Sequence, residues 1–401
     1  MHNFLKNLKF IRIKDIIAFI IFIIAIIPSI FLKKITKNQI WLICEDKNEA
    51  RDNGYAFFKY MCNNNFKNIK PVYAISKKSP DYEKVRRLGK CINYGTLVHW
   101  IYYLAAKYNI SSQKGGKPNA AICYFLEVYG IIKNRRIFLQ HGITISNAKW
   151  LYYKNTKMRL FICGAKPEYE YIKTKFGYPN ENLKYLGFPR FDDLHNIETN
   201  KRQILIMPTW REWLNRKTDA YYEFKYDGIF EHSDYYKYWN SLLNNSEFEK
   251  FIEQEKLQVI FYPHRNMQQY LENFSTNSKN ITVASWKNYD VQKLLKESAV
   301  MITDYSSVAM DFAYMKKPVI YYTFDIKQFR KGQYEKGYYD YEKNALGYNA
   351  KEEKEVIKQL KEIYKKNFNV DNIMKEKMIK FFELYDNRNC ERVYRAIKEI
   401  K

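Results

Sequence analysis

Short, largely apolar runs alternate with helix-like segments along the chain, and this alternation most constrains the fold. Runs apolar on both faces suit strands covered by helices on both sides, the pattern of a parallel α/β sheet. The first series comprises 40–44, 71–75, 90–92, 109–111, 137–140, 160–163 and 183–186. Helical candidates at 49–62, 96–107 and 167–176 lie between them, and Pro167 suits a helix first turn. A second series comprises 203–207, 257–262, 281–283, 300–303 and 319–322, with helices expected at 291–298 and 308–315. From about Lys351 onward the chain is charged and helical in pattern. A chain of 401 residues exceeds one ordinary core and suits two such domains. The polar stretch 195–202 is the natural boundary between them.

An apolar segment precedes the first strand. Ile16–Leu32 is almost purely apolar, with Lys6, Lys9, Arg12 and Lys14 before it and Lys33 and Lys34 after. As a helix it would reach about 25 Å, slightly short of a hydrocarbon core of about 30 Å. It has no small-x-small cleavage signal, and its basic flanks on both sides choose no orientation. The expectation is an anchor lying in the cytoplasmic leaflet and broken near Pro28.

The formal net charge of +25 favours polyanionic partners, an anionic membrane surface or phosphate-rich substrates. No Cys-rich finger, aromatic RNA-binding signature or helix-turn-helix pattern occurs, so no nucleic-acid partner is expected. The six cysteines form no CxxC pair and read as reduced thiols, with Cys44, Cys91, Cys123 and Cys163 in or beside apolar segments. No Walker loop, GxGxxG, HExxH or strand-end acidic metal pair is present. Neither a metal nor a cofactor is expected.

Four strand ends carry candidate chemistry. Val300 to Thr303 reads as a buried strand, followed by Asp304-Tyr305-Ser306-Ser307 and a helix. Ser306 and Ser307 fall where that helix begins, either as an ordinary N-cap or as a phosphate site built on helix-start amides. Ile137 to Gln140 runs into His141-Gly142. An imidazole at a strand end suits a general base, and Gly142 allows close backbone approach, though a loop histidine fits equally. Leu257 to Tyr262 runs into Pro263-His264-Arg265, a donor pair for anionic oxygens or a surface turn. Ile204 to Met207 leads to Pro208-Thr209-Trp210-Arg211, where Arg211 reaches a phosphate or pairs with Glu212 or another surface acid. Phe329 to Tyr334 reads as a basic turn.

Together these blocks resemble one family. Ile302-Thr303-Asp304-Tyr305-Ser306-Ser307 through Phe312-Ala313, then Lys317-Pro318-Val319-Ile320-Tyr321-Tyr322 and Asp325, is similar to the signature of the CDP-glycerol glycerophosphotransferases. These are the teichoic-acid primases and polymerases and related capsule enzymes. His141-Gly142, Gly187-Phe188-Pro189-Arg190-Phe191-Asp192 and Pro208-Thr209-Trp210-Arg211 look like further blocks in the same order. The resemblance covers roughly residues 130–350. The second histidine block departs from the family pattern in its Pro263-His264 order.

The resemblance implies two Rossmann-like domains facing a cleft, of glycosyltransferase-B type. The domains would be 37–195, on the acceptor side, and 196–401, binding the CDP donor and including the C-terminal helices. Residues 1–36 would form the membrane-associating segment. It implies transfer of glycerol phosphate, or a related polyol phosphate, from a CDP-linked donor to a hydroxyl of a polymer or lipid-linked acceptor, with release of CMP. It places the enzyme peripherally on the inner face of the cytoplasmic membrane. His141 carries the role of catalytic base, with Gly142 supporting. His264, Ser306 and Ser307 fall to the donor phosphates, with Arg211, Asp304 and Arg265 beside them and Asp311 toward the donor ribose. The alternative is a sugar transferase of the same fold, using a nucleotide sugar in surface-polysaccharide synthesis.

Overall fold

A computed structural model describes residues 12–214 and 229–400. Lys6 and Lys9 of the basic flank lie outside the described residues. The chain divides into two compact units, Met1–Ile143 with Lys149–Asp193 and Asp386–Lys401, and Thr144–Ala148 with Leu194–Tyr385.

The first unit holds a seven-stranded sheet: β1 Gln39–Cys44, β2 Ile69–Ile75, β3 Cys91–Asn93, β4 Tyr108–Ser111, β5 Arg136–Phe138, β6 Leu160–Cys163 and β7 Leu183–Tyr185. Their order is β3-β2-β1-β4-β5-β6-β7, and every pairing is parallel. The second unit holds β8 Asn200–Ile206, β9 Gln258–Phe261, β10 Ile281–Val283, β11 Ser298–Thr303, β12 Val319–Tyr322 and β13 Tyr348–Ala350. Their order is β10-β9-β8-β11-β12-β13, again all parallel. The apolar runs form these strands because both faces are covered; every residue of β11 is buried. β13 has no apolar run to announce it. It is a half-exposed edge of three residues, fixed by pairing Ile320–Tyr322 with Tyr348–Ala350.

In each sheet the order reverses beside its first strand, between β1 and β4 and between β8 and β11. Ligands of parallel α/β folds bind outside the strand carboxyl ends at such a switch point. The strand-end residues singled out above therefore share an edge within each unit.

Three expectations are corrected. The apolar segment is one unbroken helix, Ile13–Ile35, with Pro28 inside it. Its buried positions, Asp15, Ala18, Phe22, Ala25 and Ser29, step by three and four residues and form one stripe. That stripe packs on the helix Leu97–Ala105, with Phe22 and Trp100 ring centroids 5.5 Å apart. Packing on both sides of Pro28 holds the helix together there, and Ser29 Oγ donates to Ile26 O at 2.6 Å. The other faces stay apolar and exposed, including Ile20, Ile27 and Phe31.

The second correction concerns the C-terminus. The helix Asn389–Lys398, expected in the second domain, belongs to the first unit. Cys390, Val393 and Ile397 enter the core around Trp41 and Phe57. Asp192 accepts from the opening amides of that helix, Asn389 N at 2.7 Å and Cys390 N at 2.9 Å. Third, the expected basic turn at 329–334 is largely helix, Ile326–Gly332.

Because Asp192 satisfies amides that no residue of the helix itself can serve, Asp192→Ala should cost about 1–2 kcal/mol. Chemical denaturation of the variant should show an earlier midpoint, with the loss reported by the first unit.

Candidate active site

In the first unit the chain leaves β5 through Leu139 and turns at Gln140, whose φ is +60°. Gln140 is pinned from three directions. Its Nε2 donates to Ile162 O at 2.7 Å and to Glu168 Oε1 at 2.9 Å, and its carbonyl accepts from Asn53 Nδ2 at 2.8 Å. His141 follows directly, so its position is inherited from the sheet. Gly142 comes next in a half-buried bend.

His141 Nδ1 lies 2.6 Å from Asp52 Oδ2. Asp52 opens the helix Asn53–Asn64, its Oδ1 accepting from Asn53 N at 2.7 Å. Arg190 Nη1 donates to Asp52 Oδ1 and to His141 O, both at 2.9 Å. Arg190 N in turn donates to Asn53 Oδ1 at 3.1 Å. The Asp52 carboxylate thus fixes the imidazole tautomer, with Nδ1 protonated toward it and Nε2 left as the basic nitrogen. Nε2 has no partner among the described residues, and the side chain is 59% exposed.

Beneath Asp52 lies Glu45, at the end of β1. It accepts from the amides of Arg51 at 2.8 Å, Asp52 at 3.1 Å and Tyr55 at 2.5 Å. A Cβ at Gly54 would come within 2.8 Å of Glu45 Cγ, so glycine permits this close packing. Burial, then the neighbouring Asp52 charge, pushes the Glu45 carboxyl up to about 8. Burial also opposes ionisation of Asp52, but His141 and Arg190 outweigh it and hold its pKa below the usual value. For His141, desolvation works against protonation. The Asp52 carboxylate overcomes it, and the imidazole pKa stands above its ordinary value.

In the second unit the ends of β9, β8 and β11 lie side by side. His264 N donates to Pro208 O at 2.9 Å, and its Nδ1 accepts from Asn266 N at 3.2 Å. Its ring centroid lies 6.2 Å from that of Trp210, the two planes inclined by 30°. The Arg265 guanidinium lies 4.4 Å from the Trp286 ring centre. The helix after β11 starts only at Ala309 and spans six residues. Ser306 and Ser307 therefore sit in the turn leading into it, and Ser306 Oγ accepts from Val308 N at 3.3 Å. Ser306 is mostly buried and Ser307 half-buried.

Arg211 pairs with two acids, both buried, and not with Glu212 or a surface acid. Its side chain is 0% exposed. Nε and Nη2 clasp both oxygens of Asp325 at 2.8 and 2.9 Å. Nη2 also meets Asp304 Oδ2 at 2.8 Å, and Nη1 donates to Thr209 O at 2.8 Å. Asp304 Oδ1 accepts from Thr209 N at 2.8 Å and Tyr305 N at 2.7 Å. Arg211 and Asp304 are thus saturated inside the protein and tie the β8 and β11 loops together, instead of reaching out to a phosphate. Asp311 is also buried, at 1% exposure, in the first turn of its helix. By contrast, Thr209 Oγ1 is buried at these strand ends without a hydrogen-bond partner among the described residues.

Strand ends in the sequence point to His141, His264 and the serine turn; Asp52 and Glu45 carry no mark there, and Arg190 and Thr209 stand inside recognised blocks without a role. Asp52 lies 89 residues from His141 and follows no apolar run directly. Its sequence signal is the helix start at Asn53 after β1. Among the described residues no three His, Cys, Asp or Glu side chains gather as a metal site.

Comparison with known proteins adds an independent line. The family described as CDP-glycerol:poly(glycerophosphate) glycerophosphotransferase matches residues 26–399. The minor teichoic acid biosynthesis protein GgaB of Bacillus subtilis (strain 168) is 33% identical over 372 residues, which is 91% of this chain and 40% of that protein. The teichoic acid poly(glycerol phosphate) polymerase of the same strain is 28% identical over 239 residues, 54% of this chain and 29% of that one. The chain thus spans less than half the length of either relative. The solved structure of the wall teichoic acid polymerase TagF aligns with a TM-score of 0.64 at 15% identity, covering 97% of this chain and 99% of that one. That likeness shows the fold: α/β, with two parallel sheets of glycosyltransferase-B type.

Two measurements check the geometry. In Asp52→Asn the carboxylate that raises the imidazole pKa is gone, so NMR titration should show His141 titrating at lower pH than in the parent. Arg211→Ala leaves two buried carboxylates unpaired and should destabilise the second unit by about 3–5 kcal/mol in chemical denaturation. An exposed phosphate ligand would leave stability almost unchanged.

Proposed function

The chain belongs to the CDP-glycerol:poly(glycerophosphate) glycerophosphotransferase family, and from that premise we propose that it transfers glycerol phosphate, or a related polyol phosphate, from a CDP-linked donor to a hydroxyl of a surface polymer or lipid-linked acceptor. The observation that carries the proposal is the His141 imidazole, anchored through Nδ1 by Asp52 at 2.6 Å with Nε2 unpartnered among the described residues.

The reading divides the reaction between the units. Nε2 of His141 accepts the proton of the acceptor hydroxyl as that oxygen attacks the donor's β-phosphorus. A new P–O bond forms, the bond to the bridging oxygen breaks, and CMP leaves with the electron pair. The second unit supplies the polar groups for the donor diphosphate: the Ser306–Ser307 turn, His264, Arg265 and the Thr209 hydroxyl. Arg211 and Asp304 hold the loops that present them. Phosphoryl transfer draws chiefly on positioning and charge stabilisation, which this set provides in kind.

Adsorption to the cytoplasmic membrane surface completes the reading. Its support is the helix Ile13–Ile35, which at 23 residues is long and apolar enough to cross a membrane. Because one stripe of it is packed on the first unit, the helix suits lying in the interface with its Ile-rich faces in lipid.

Incubation of the purified chain with CDP-glycerol and an oligomeric acceptor should release CMP. Release of a nucleoside diphosphate from a nucleotide sugar, with none of CMP, would favour the sugar-transferase alternative. His141→Ala should lower turnover at least about a hundredfold, the usual range for a lost general base. Since the base form exists only above the raised His141 pKa, activity should climb with pH through a value above the ordinary 6.5, and the Asp52→Asn remnant activity should climb at lower pH.

A further inference from the structure

We infer that the first unit carries a headgroup site for anionic phospholipid at the amino edge of its sheet, where the apolar helix ends. The linkers that precede β1, β4, β5 and β6 lie side by side there, because those four strands are neighbours and all parallel. They enclose a cavity of about 360 Å³, at the lower end of the range for small-ligand sites. Each linker contributes cations: Lys37 before β1, Lys107 before β4, Lys133 and Arg135 before β5, and Arg159 before β6, with Lys33 added from the last turn of the apolar helix. No carboxylate is among the described residues lining it. Lys33, Lys37 and Lys133 are exposed and form no ion pair within the described residues. Arg135 is steadied by donating Nη1 to Ala106 O at 2.8 Å.

Lys33, Lys37 and Lys133, gathered around one hollow, repel each other, and this arrangement is relieved by an anion. Lys33 and Lys34 also offset the negative end of the helix dipole, which would otherwise oppose one. What selects a lipid over a free phosphate or a soluble polyanion is the apolar helix that leads into the cavity through Lys33. Ile27, Ile30, Phe31 and Ile35, on the last turns of the same helix, are between 50% and 75% exposed. A soluble polyanion would satisfy the cations and leave this apolar surface in water. A phosphatidylglycerol-type lipid satisfies both, its phosphate in the cavity and its chains beside the isoleucines. The site is distinct from the reacting centre: His141 stands at the carboxyl end of β5, and the cavity at the amino end. The inference rests on the membrane reading above only for the choice of lipid as the source of the anion.

The test uses the full chain and vesicles of phosphatidylcholine, with and without phosphatidylglycerol, in a sedimentation assay. The parent should bind phosphatidylglycerol vesicles more tightly than phosphatidylcholine alone. Lys33→Gln/Lys37→Gln/Lys133→Gln should weaken phosphatidylglycerol binding roughly a hundredfold, about fivefold per cation, and leave phosphatidylcholine binding and the thermal midpoint unchanged. The control Lys77→Gln/Lys175→Gln/Lys184→Gln removes three exposed lysines of the same unit that do not line the cavity, and should bind like the parent. Equal losses in both triple variants would mean diffuse charge and overturn the site. So would an undiminished cavity variant, and either result would leave the membrane reading standing. Soluble poly(glycerol phosphate) bound by the parent and lost in the cavity variant, with no preference between vesicles, would reassign the site to polymer. Failure of the parent to bind any vesicle would overturn this inference together with membrane adsorption, and leave the transferase reading untouched.

Discussion

The Asp52 carboxylate holds together three segments that the chain supplies far apart. One oxygen meets His141 Nδ1, and the other takes the Asn53 amide and the Arg190 guanidinium. Remove it and the imidazole loses its orientation, Arg190 loses its counter-charge, and the helix at Asn53 loses an N-terminal acceptor. The carboxylate stays ionised although buried because a cation and an imidazole face it, whereas Glu45, a few ångströms below and surrounded by backbone amides, is pushed up to about 8. Two acids in one pocket thus take different states, and the one that keeps its charge is the one that touches the candidate base.

The second unit applies the same physics to a different end. Arg211, with no exposed surface, is clasped by Asp304 and Asp325 and by the Thr209 carbonyl. Desolvating three charges is costly, and the return is stiffness: the loops after β8 and β11 cannot move independently while that network holds. The Thr209 hydroxyl, Trp210, and the turn bearing Ser306 and Ser307 are mounted on those loops. The arginine shapes the candidate donor site without belonging to its surface.

The apolar N-terminal helix shows how packing divides one uniform composition into two roles. Its residues are almost all apolar, so hydropathy alone distinguishes no face. Ala18, Ala25 and Ser29 are small, and with Phe22 among them they let the helix approach Leu97–Ala105 closely. The bulkier isoleucines are left outward. Side-chain size, more than polarity, decided which stripe joined the core.

The sequence by itself determined every described strand but β13, their parallel class and the edge bearing the candidate residues, because buried parallel strands must be apolar on both faces and their ends must carry the polar residues. The Asp-Tyr-Ser-Ser block and His141-Gly142 were legible for the same reason: each directly follows such a strand. Only the tertiary structure decided partnership. Asp52 and Arg190 meet His141 through strand order, and Arg211 turned inward because two carboxylates were waiting in a space closed to water. The course of the helix through Pro28, the return of Asn389–Lys398 to the first unit and the gathering of cations at one sheet edge were settled in the same way. Each depends on which segments become neighbours, and local pattern carries no record of that.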